Sequence, residues 1–342
     1  MKPYFSMTYK SAIEKIANLN HIKKSSVLVT GATGLIGSCV VDVLLESECV
    51  VYALDLSKDK LISRFGGETD NLRFVVQDVC EPLDDDYLFD YIIHTASFAD
   101  PKSYALYPVE TILINVLGAK NVLDYAKKHV KTKVLITSTF ETYGKLNQDT
   151  YEENEFGLLD FNSLRSCYPE SKRTAEVLLK SYKDEYGVNG VIVRLSSVFG
   201  PTMSKNDSKA HAQFLFNALN NQDIVLKSKG LQKRTYTYVM DAVWALLFVL
   251  SDGISGEAYN IANGNSVISI FDLANTIAGI CGVRVKYDVP DELETKGYSK
   301  PQNCILDTNK ICKMGWTPLY SLDDGLKQTL KIMKEMKDAG DY

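Results

Sequence analysis

The sequence predicts an α/β fold in which a doubly wound parallel sheet is followed by a smaller α/β lobe at the C-terminus. Up to residue 200, apolar strand-like runs alternate with helical patterns at a spacing of about 25 residues. The first of these strands runs into a glycine-rich turn and then into an apolar helix. Beyond residue 200, shorter strands mix with helices, which indicates a second lobe packed on the strand ends.

Length and composition fit an ordinary soluble protein. The 342 residues suggest two lobes or one large unit, with 45% apolar and 24% charged residues. A net charge of -5 argues against a nucleic-acid-binding protein. The seven cysteines form no Cys-x-x-Cys pair, so we expect reduced thiols and no metal site. The N-terminus has no secretory h-region and no long apolar run follows, which predicts a cytoplasmic protein without membrane contact.

The first strand and turn predict a dinucleotide site. Ser26 to Thr30 precede Gly31, which permits a tight turn, while Gly34 lets a pyrophosphate approach the helix N-terminus. Gly37 allows the helix to lie close to the sheet. The residues between the last two glycines join the predicted cofactor site: Leu35 and Ile36. The pattern is that of a Rossmann-type sheet.

The second strand, Val50 to Leu54, ends in Asp55, followed by Leu56. A carboxylate at this distance from the glycines can accept both ribose hydroxyls and repel a 2′-phosphate, which favours NAD over NADP. Lys58 and Lys60 follow and could meet a phosphate, so NADP stays open as an alternative.

Later strand ends carry further candidate cofactor contacts, because open α/β sheets bind ligands beyond the carboxyl ends of their strands. The strand Leu72 to Gln77 leads to Asp78 and Val79, and Tyr91 to His94 leads to Ala96 and Ser97. The alternative role of Asp78 is that of a turn or cap residue, and the alternative for Ala96 and Ser97 is tight packing. His94 is expected in the core without a chemical role.

A long helix is predicted over residues 105 to 128, and Asn115 interrupts its apolar face. That amide could hold backbone near the cofactor or be a satisfied core group. The next strand, Val134 to Thr137, ends in a cluster of hydroxyls and a carboxylate. Its candidate site residues are Thr137, Ser138, Thr139, Phe140 and Glu141.

Tyr168 and Lys172 are the predicted acid/base pair. Pro169 follows Tyr168, which predicts a helix that begins there and runs to Tyr186. Residues four apart share a helix face, so Lys172 should lie beside the phenol. The ammonium and the helix dipole are both expected to lower the tyrosine pKa toward the range of a base.

The last strand of the alternating region, Gly190 to Leu195, ends in Ser196 and Ser197. Ser196 is a candidate cofactor contact, and Ser197 and Phe214 are candidate substrate contacts. Arg234 is suited to bidentate phosphate binding, with a surface ion pair as the alternative. In the second lobe we predict short strands and helices over residues 224–226, 234–238, 258–261 and 284–287, and 210–220, 241–250, 270–280 and 322–336. His211 is expected on a solvated face.

These features predict three parts. Residues 1–25 form an N-terminal helical extension, in which Tyr9, Ile13 and Ile16 have helical spacing and would pack onto the body or a partner subunit. Residues 26–200 form the NAD-binding domain, with contributions from later segments. Residues 201–342 form the smaller lobe, and a cleft between lobes is a usual place for a substrate.

Together these motifs resemble the extended short-chain dehydrogenase/reductase family, in its nucleotide-sugar epimerase/dehydratase branch, from about Ser26 to Met336. The glycine triplet, Asp55, Asp78, Ala96-Ser97, Tyr168-x-x-x-Lys172 and the run Arg194 to Pro201 occur in the family order. Arg165-Ser-Cys-Tyr168, Lys172 to Glu176 and Asn115 to Gly118 look like the UDP-glucuronate decarboxylases.

The resemblance implies a tightly bound, recycled NAD that accepts hydride from the sugar C4 and later returns it. Tyr168 would be the base, Lys172 would bind the nicotinamide ribose, and Thr139 would hydrogen-bond the reacting oxygen. Arg234 would bind the nucleotide diphosphate. The resemblance further implies a nucleotide-sugar substrate, a role in polysaccharide biosynthesis, and a homodimer formed by the helices near 105–128 and 169–186.

The reaction that follows C4 oxidation stays open at this point. Glu141 favours lyase chemistry, with dehydration first and decarboxylation second, and C4 or C5 epimerisation is close behind. Phe140 stands where relatives have serine or aspartate and cannot donate a proton. The decarboxylases also place an arginine shortly before the segment that begins with Asp307, where this chain has Lys300-Pro-Gln-Asn-Cys-Ile-Leu. A noncatalytic NAD-binding protein and an NADP-dependent reductase also remain compatible with the sequence.

Overall fold

The computed structural model describes residues 9–10, 13–14, 16, 19, 21–288 and 302–341. Its strands are β1 (Ser26–Thr30), β2 (Val50–Asp55), β3 (Leu72–Val76), β4 (Tyr91–His94), β5 (Lys133–Thr139), β6 (Thr150–Tyr151), β7 (Asn189–Leu195), β8 (Ser197–Phe199), β9 (Ile224–Leu226), β10 (Lys233–Tyr238), β11 (Ala258–Ile261), β12 (Val267–Ser269), β13 (Val285–Tyr287) and β14 (Ile305–Leu306).

Its α-helices are α1 (Leu35–Glu46), α2 (Lys58–Phe65), α3 (Pro101–Leu106), α4 (Pro108–Lys128), α5 (Cys167–Tyr186), α6 (Ala210–Leu219), α7 (Val239–Asp252), α8 (Ile270–Cys281), α9 (Asn309–Lys313) and α10 (Leu322–Asp338). Two 3-10 turns flank the site, over Phe140–Tyr143 and Leu164–Ser166. Among the helices of the described ranges, none is long and apolar enough to cross a bilayer.

A seven-stranded parallel sheet forms the centre of the molecule, in the order β11-β7-β5-β4-β1-β2-β3. Alternate residues of β1 enter different cores, because successive side chains of a strand point to opposite faces. Val27 and Val29 belong to the core that contains α1 and α7, and Leu28 belongs to the core of α4 and α5. The predicted doubly wound sheet is confirmed.

The helix predicted over residues 105 to 128 is confirmed from Pro108 to Lys128, but its predicted start is wrong, because residues 105 and 106 belong to a separate short helix, α3. Tyr107 separates the two helices with φ -133° and ψ 57°, outside the helical region. The residue before a proline is disfavoured in helical conformation, and Pro108 then begins α4. This break allows α3 to carry Tyr104 into the site.

Residues 241–250 and 258–261, which were predicted among the elements beyond residue 200, pack with the central sheet. β11 pairs in parallel with β7 at the edge of the central sheet, and α7 packs against α1 and β7 as the crossover helix. The other late elements form small sheets, β8-β10-β12 and β9-β13, beside α6 and α8. The domain limits at residues 25 and 200 stay predictions.

The described residues of the N-terminal segment fit the predicted helix. Tyr9, Ile13 and Ile16 are helical and buried against the core of α1 and α7. The rest of residues 1–20, apart from residues 10, 14 and 19, lies outside the described residues, as do Lys300 and Pro301. Each of the seven cysteines is a free thiol.

Candidate active site

Helix α5 positions the two residues predicted as the acid/base pair. It begins at Cys167, so that Tyr168 and Pro169 lie in its first turn, and it ends before Gly187 in a left-handed conformation. Tyr168 and Lys172 are 7% and 3% exposed. The predicted helix start and the shared face are therefore present.

The Lys172 ammonium is buried and hydrogen-bonded to the backbone of β5. Its Nζ donates a hydrogen bond to the Thr137 carbonyl at 3.0 Å. Burial lowers the pKa of Lys172 to about 7, while the charge of Glu176 works in the opposite direction. Lys172 can therefore gain or lose its proton near neutral pH.

The expected lowering of the Tyr168 pKa is wrong for this structure. Burial raises the pKa of Tyr168 well above its ordinary value, and the charge of Glu141 raises it further. Hydrogen bonding to Thr139 and Tyr104 and the charge of Arg165 lower it in part. The sequence pattern gave the spacing of Tyr168 and Lys172, but it could not give the burial that dominates the pKa.

Tyr104 is a site residue that the sequence did not predict. It is 2% exposed, and its ring stacks on Tyr168 with centroids 4.5 Å apart and an interplanar angle of 13°. The Cys167 thiol completes the same small buried cluster. A tyrosine after a run of turn residues carries no distinctive signal, because its position depends on the break between α3 and α4.

The loop after β5 begins with Thr139, which caps the 3-10 turn by accepting a hydrogen bond from the Glu141 N–H at 3.3 Å. Glu141 forms an ion pair with Arg165, which donates from both terminal nitrogens, at 2.7 and 3.3 Å. Arg165 stands three residues before Tyr168, in the run Arg165-Ser-Cys-Tyr168, but its partner Glu141 lies 24 residues earlier in the chain.

Phe140 faces Arg234 of β10, the residue predicted to bind the substrate diphosphate. The Arg234 guanidinium carbon lies 5.4 Å from the centre of the Phe140 ring, in cation–π geometry. Phe140 packs on the buried cluster that includes Tyr143 and Tyr151, together with Cys304. The loop thus brings Thr139, Phe140 and Glu141 to three different partners.

A buried ion pair supports this loop and was missed by the sequence analysis. Arg194 contacts Glu176 with two nitrogens, at 3.0 and 2.7 Å, and its guanidinium lies 4.7 Å from the Tyr143 ring centre. The Ser138 hydroxyl donates to Glu176 at 2.5 Å, and its contact with the substrate stays a prediction. The four-residue spacing of Lys172 and Glu176 indicates that both lie on the same face of α5. No spacing indicates the contact with Arg194, which lies 18 residues from Glu176.

The glycine turn has the shape that a dinucleotide requires. Gly31 has φ +67°, and a Cβ there would lie 2.8 Å from the Ala96 Cα. A Cβ on Gly37 would lie 2.3 Å from the Gly31 carbonyl oxygen. Gly34 precedes α1 and has no side chain to cap it, which leaves the first N–H groups of the helix, including those of Leu35 and Ile36, available to a phosphate. These residues fit NAD.

Asp55 lies at the end of β2, where it also fixes the glycine turn. Its Oδ2 accepts hydrogen bonds from the Thr33 N–H at 3.0 Å and hydroxyl at 2.7 Å, and its Oδ1 accepts from the Leu56 N–H. Lys58 and Lys60 are exposed in the first turn of α2, a helix the sequence did not predict.

The other predicted cofactor contacts follow the ends of β3 and β4. Asp78 is exposed and accepts a hydrogen bond from the Cys80 N–H, so it acts as a turn residue, while Val79 is buried. The Ala96 N–H donates to Thr30, in close contact with Gly31. His94 is buried and neutral, with its pKa lowered to about 3 by burial.

Asn115 connects the β4 loop to α5. Its Oδ1 accepts from the Ser97 hydroxyl at 2.8 Å, and its Nδ2 donates to the Ser171 hydroxyl at 2.9 Å, which in turn donates to the Tyr168 carbonyl. Asn115 is therefore a satisfied core amide that orients the start of α5. Ser171 joins the site only through this chain of contacts.

The remaining candidates lie directly after β7, in β8 and in α6. Ser196 shares a hydrogen bond of 2.6 Å with Thr237, and Ser197 begins β8. Phe214 is 4% exposed within the core, so its contact with substrate stays a prediction. The solvated position expected for His211 is wrong, because the ring is 5% exposed and packs edge-on against Tyr236.

The sequence is similar to known proteins over most of its length. The sequence profile described as the NAD dependent epimerase/dehydratase family matches residues 27–262. UDP-glucuronic acid decarboxylase 6 of Arabidopsis thaliana is 32% identical over 313 residues, which cover 88% of this chain and 86% of its own length.

Two solved structures share the fold. dTDP-glucose 4,6-dehydratase from Streptomyces venezuelae, with NAD bound, has a TM-score of 0.77 at 25% identity and covers 92% of this chain and 98% of its own. UDP-glucose 4-epimerase from Thermotoga maritima has a TM-score of 0.79 at 24% identity, with coverage of 91% and 99%.

Proposed function

The chain belongs to the NAD dependent epimerase/dehydratase family, and from that membership we propose that it oxidises C4 of a nucleotide-linked hexuronic acid and then decarboxylates the 4-keto sugar. It is an NAD-dependent enzyme of nucleotide-sugar metabolism. NAD, when bound, supplies the hydride acceptor and later the donor, and the glycine turn, the α1 N-terminus and Asp55 are the groups that hold it.

The residues of this chain divide the proton transfers. Tyr168 takes the proton from the C4 hydroxyl, and Thr139, which already acts on the phenol by hydrogen bonding, donates to the same sugar oxygen. Lys172, with a pKa of about 7, lies one helical turn beyond Tyr168 and contacts the nicotinamide ribose. Arg234 binds the diphosphate as a planar guanidinium.

The occupants of positions 140 and 141 favour decarboxylation over dehydration. A β-keto acid loses carbon dioxide when the electrons of its C5–carboxyl bond move onto the C4 carbonyl, so this step needs no protein acid or base. Dehydration needs an acid for the leaving C6 hydroxyl. Phe140 has no proton to give, and Glu141 accepts two hydrogen bonds from the Arg165 guanidinium. This pairing is the observation on which the proposal rests.

The chemistry then closes the cycle. The enolate left by carbon dioxide would take a proton from water at C5, and Tyr168, which holds the proton taken from the C4 hydroxyl, would return it to the C4 oxygen as the sugar is reduced. The product is a nucleotide-linked pentose. Dehydration remains the second candidate, because the Glu141 carboxylate is a suitable base for the C5 proton.

Mass spectrometry of reactions with UDP-, dTDP-, GDP- and CDP-linked sugars and uronic acids tests this proposal. We expect loss of carbon dioxide from a uronic acid. Loss of water from a neutral hexose would replace decarboxylation by dehydration, and a product of unchanged mass but altered retention would mean epimerisation.

Tyr168→Phe tests the base. We expect turnover to fall by about 10²-fold or more while NAD remains bound, since general base catalysis contributes about 10²–10⁴-fold. Denaturation of the purified protein should release NAD from wild type and variant alike. Normal turnover by the variant would refute the assigned base, and release of NADP would refute the cofactor.

A homodimer through α4 and α5 extends the proposal. Val109, Ile112 and Leu113 of α4 and Val177 of α5 are 42–62% exposed, an apolar surface of the kind that a partner subunit covers.

We further propose that the enzyme works in the cytoplasm and that its product serves polysaccharide biosynthesis. Residues 26–200 would act as the cofactor lobe and residues 201–342 as the nucleotide-sugar lobe.

A further inference from the structure

Arg165 and Glu141 form an ion pair whose two charges both act on the phenol of the proposed base. The guanidinium contacts both carboxylate oxygens, at 2.7 and 3.3 Å, in the fork geometry that makes arginine–carboxylate pairs strong. The side chains of Arg165 and Glu141 are 44% and 19% exposed. The carboxylate is therefore the more enclosed partner, and the arginine covers it from the solvent side.

This pair adjoins the stacked tyrosines. The Arg165 guanidinium carbon lies 5.9 Å from the centre of the Tyr104 ring, and that ring stacks on Tyr168. Arg165 also ends the connection into α5, in the 3-10 turn Leu164–Ser166. Its position is thus fixed by the same short segment that fixes Tyr168.

We propose that Arg165 is a positioning residue that neutralises Glu141 beside Tyr168, so that the carboxylate can face the sugar without opposing ionisation of the base. This inference rests on the proposed function, because it assumes that Tyr168 must ionise. An unpaired carboxylate near a phenol disfavours the phenolate by charge repulsion, and a guanidinium bound to the carboxylate opposes that effect.

The charged and titratable groups around the phenol come from several elements. Glu141 raises the pKa of Tyr168, and Arg165 lowers it. Tyr104 of α3 bonds the phenol, and Asp100, which caps α3, acts on Tyr104. Lys172 of α5 is bonded to Thr137. Glu141 also acts on Cys167 and Cys304, whose thiols are raised in pKa by burial and stay neutral. Among these groups of the described part of the chain, Arg165 is therefore the cation that lowers the phenol pKa.

A reporter at position 168 tests the inference without turnover. Site-specific incorporation of 3-nitrotyrosine at Tyr168 gives a phenol whose ionisation is visible by absorbance near neutral pH. The titration is carried out on NAD-saturated protein in four backgrounds: wild type, Arg165→Gln, Glu141→Gln and the double variant. Arg165→Lys, which keeps the charge but not the fork, is the conservative control.

We expect Arg165→Gln to move the reporter pKa up by about one pH unit and Glu141→Gln to move it down. The double variant should return it close to the wild-type value, and Arg165→Lys should fall between wild type and Arg165→Gln. An arginine that only stabilises the turn would shift none of these titrations. An unchanged pKa in Arg165→Gln, or a double variant that titrates like Arg165→Gln, would overturn the proposal.

The pH profile of turnover supplies the catalytic readout once a substrate is known. Arg165→Gln should displace the acidic limb of kcat to higher pH by the same amount as the reporter, and the double variant should restore it. Failure to find any nucleotide-sugar substrate would count against the proposed function alone, because the reporter titration does not depend on turnover.

Discussion

The buried Lys172 ammonium should make the stability of this protein depend on pH in a defined way. In the unfolded chain its pKa is 10.5, and burial lowers it to about 7 in the folded state. The folded state therefore binds fewer protons than the unfolded state between these values, so the free energy of unfolding rises with pH across that window. Below pH 7 the full cost of burying the charge is present.

The magnitude follows from the same two values. At about 1.4 kcal/mol per pH unit, the window from 10.5 down to about 7 corresponds to roughly 5 kcal/mol. Lys172→Met removes this cost. It also leaves the Thr137 carbonyl without its hydrogen bond, a loss of about 1–3 kcal/mol that does not vary with pH.

Urea unfolding of NAD-free protein at a series of pH values measures this effect. We expect Lys172→Met to be more stable than wild type near pH 6–7, with an advantage that falls by about 1.4 kcal/mol per unit as pH rises. Lys180→Met, an exposed lysine of the same helix, is the matched control and should give a difference that is flat with pH. A flat difference for Lys172→Met as well would refute the buried, near-neutral lysine.

Two further predictions concern the substrate arginine and the subunit interface. Phe140→Ser removes the ring beneath Arg234, so KM for the nucleotide sugar should rise about 2–5-fold with little change in kcat, the loss of a partly exposed cation–π contact, while Phe140→Tyr should keep the wild-type KM. A fall in kcat at constant KM would contradict this role. Leu113→Asp should convert a dimer to monomers in light scattering, whereas Val130→Asp, 82% exposed beyond the end of α4, should not. A monomeric wild type, or a dimeric Leu113→Asp variant, would remove the proposed interface.

Local patterns predicted most of the central sheet. β1, β4 and β11 begin and end where the apolar runs predicted them, and the glycine turn, Asp55 and the start of α5 lie as expected. These features depend on side-chain periodicity, glycine conformation and proline position, which are properties of a few adjacent residues. The break at Tyr107 also has a local cause, because the residue before a proline is disfavoured in helical conformation and Pro108 follows.

The partners within the site could not be predicted in the same way. Arg165 contacts Glu141 across 24 residues, Arg234 contacts Phe140 from a strand much later in the chain, and Ser138 donates to Glu176. Each contact depends on how strands and helices pack, and no residue spacing encodes it. The predicted lowering of the Tyr168 pKa was wrong for a related reason, because burial raises this pKa more than the neighbouring charge suggested by the spacing could lower it.

The sequence by itself therefore determined the family, the alternation of strands and helices and the pair Tyr168 and Lys172, because those depend on short motifs with fixed local geometry. Only the tertiary structure decided the charge around that pair. It placed Lys172 against the Thr137 carbonyl, Tyr104 against the phenol and Arg165 on Glu141. Ionisation depends on distance and burial in three dimensions, and those are set by packing alone.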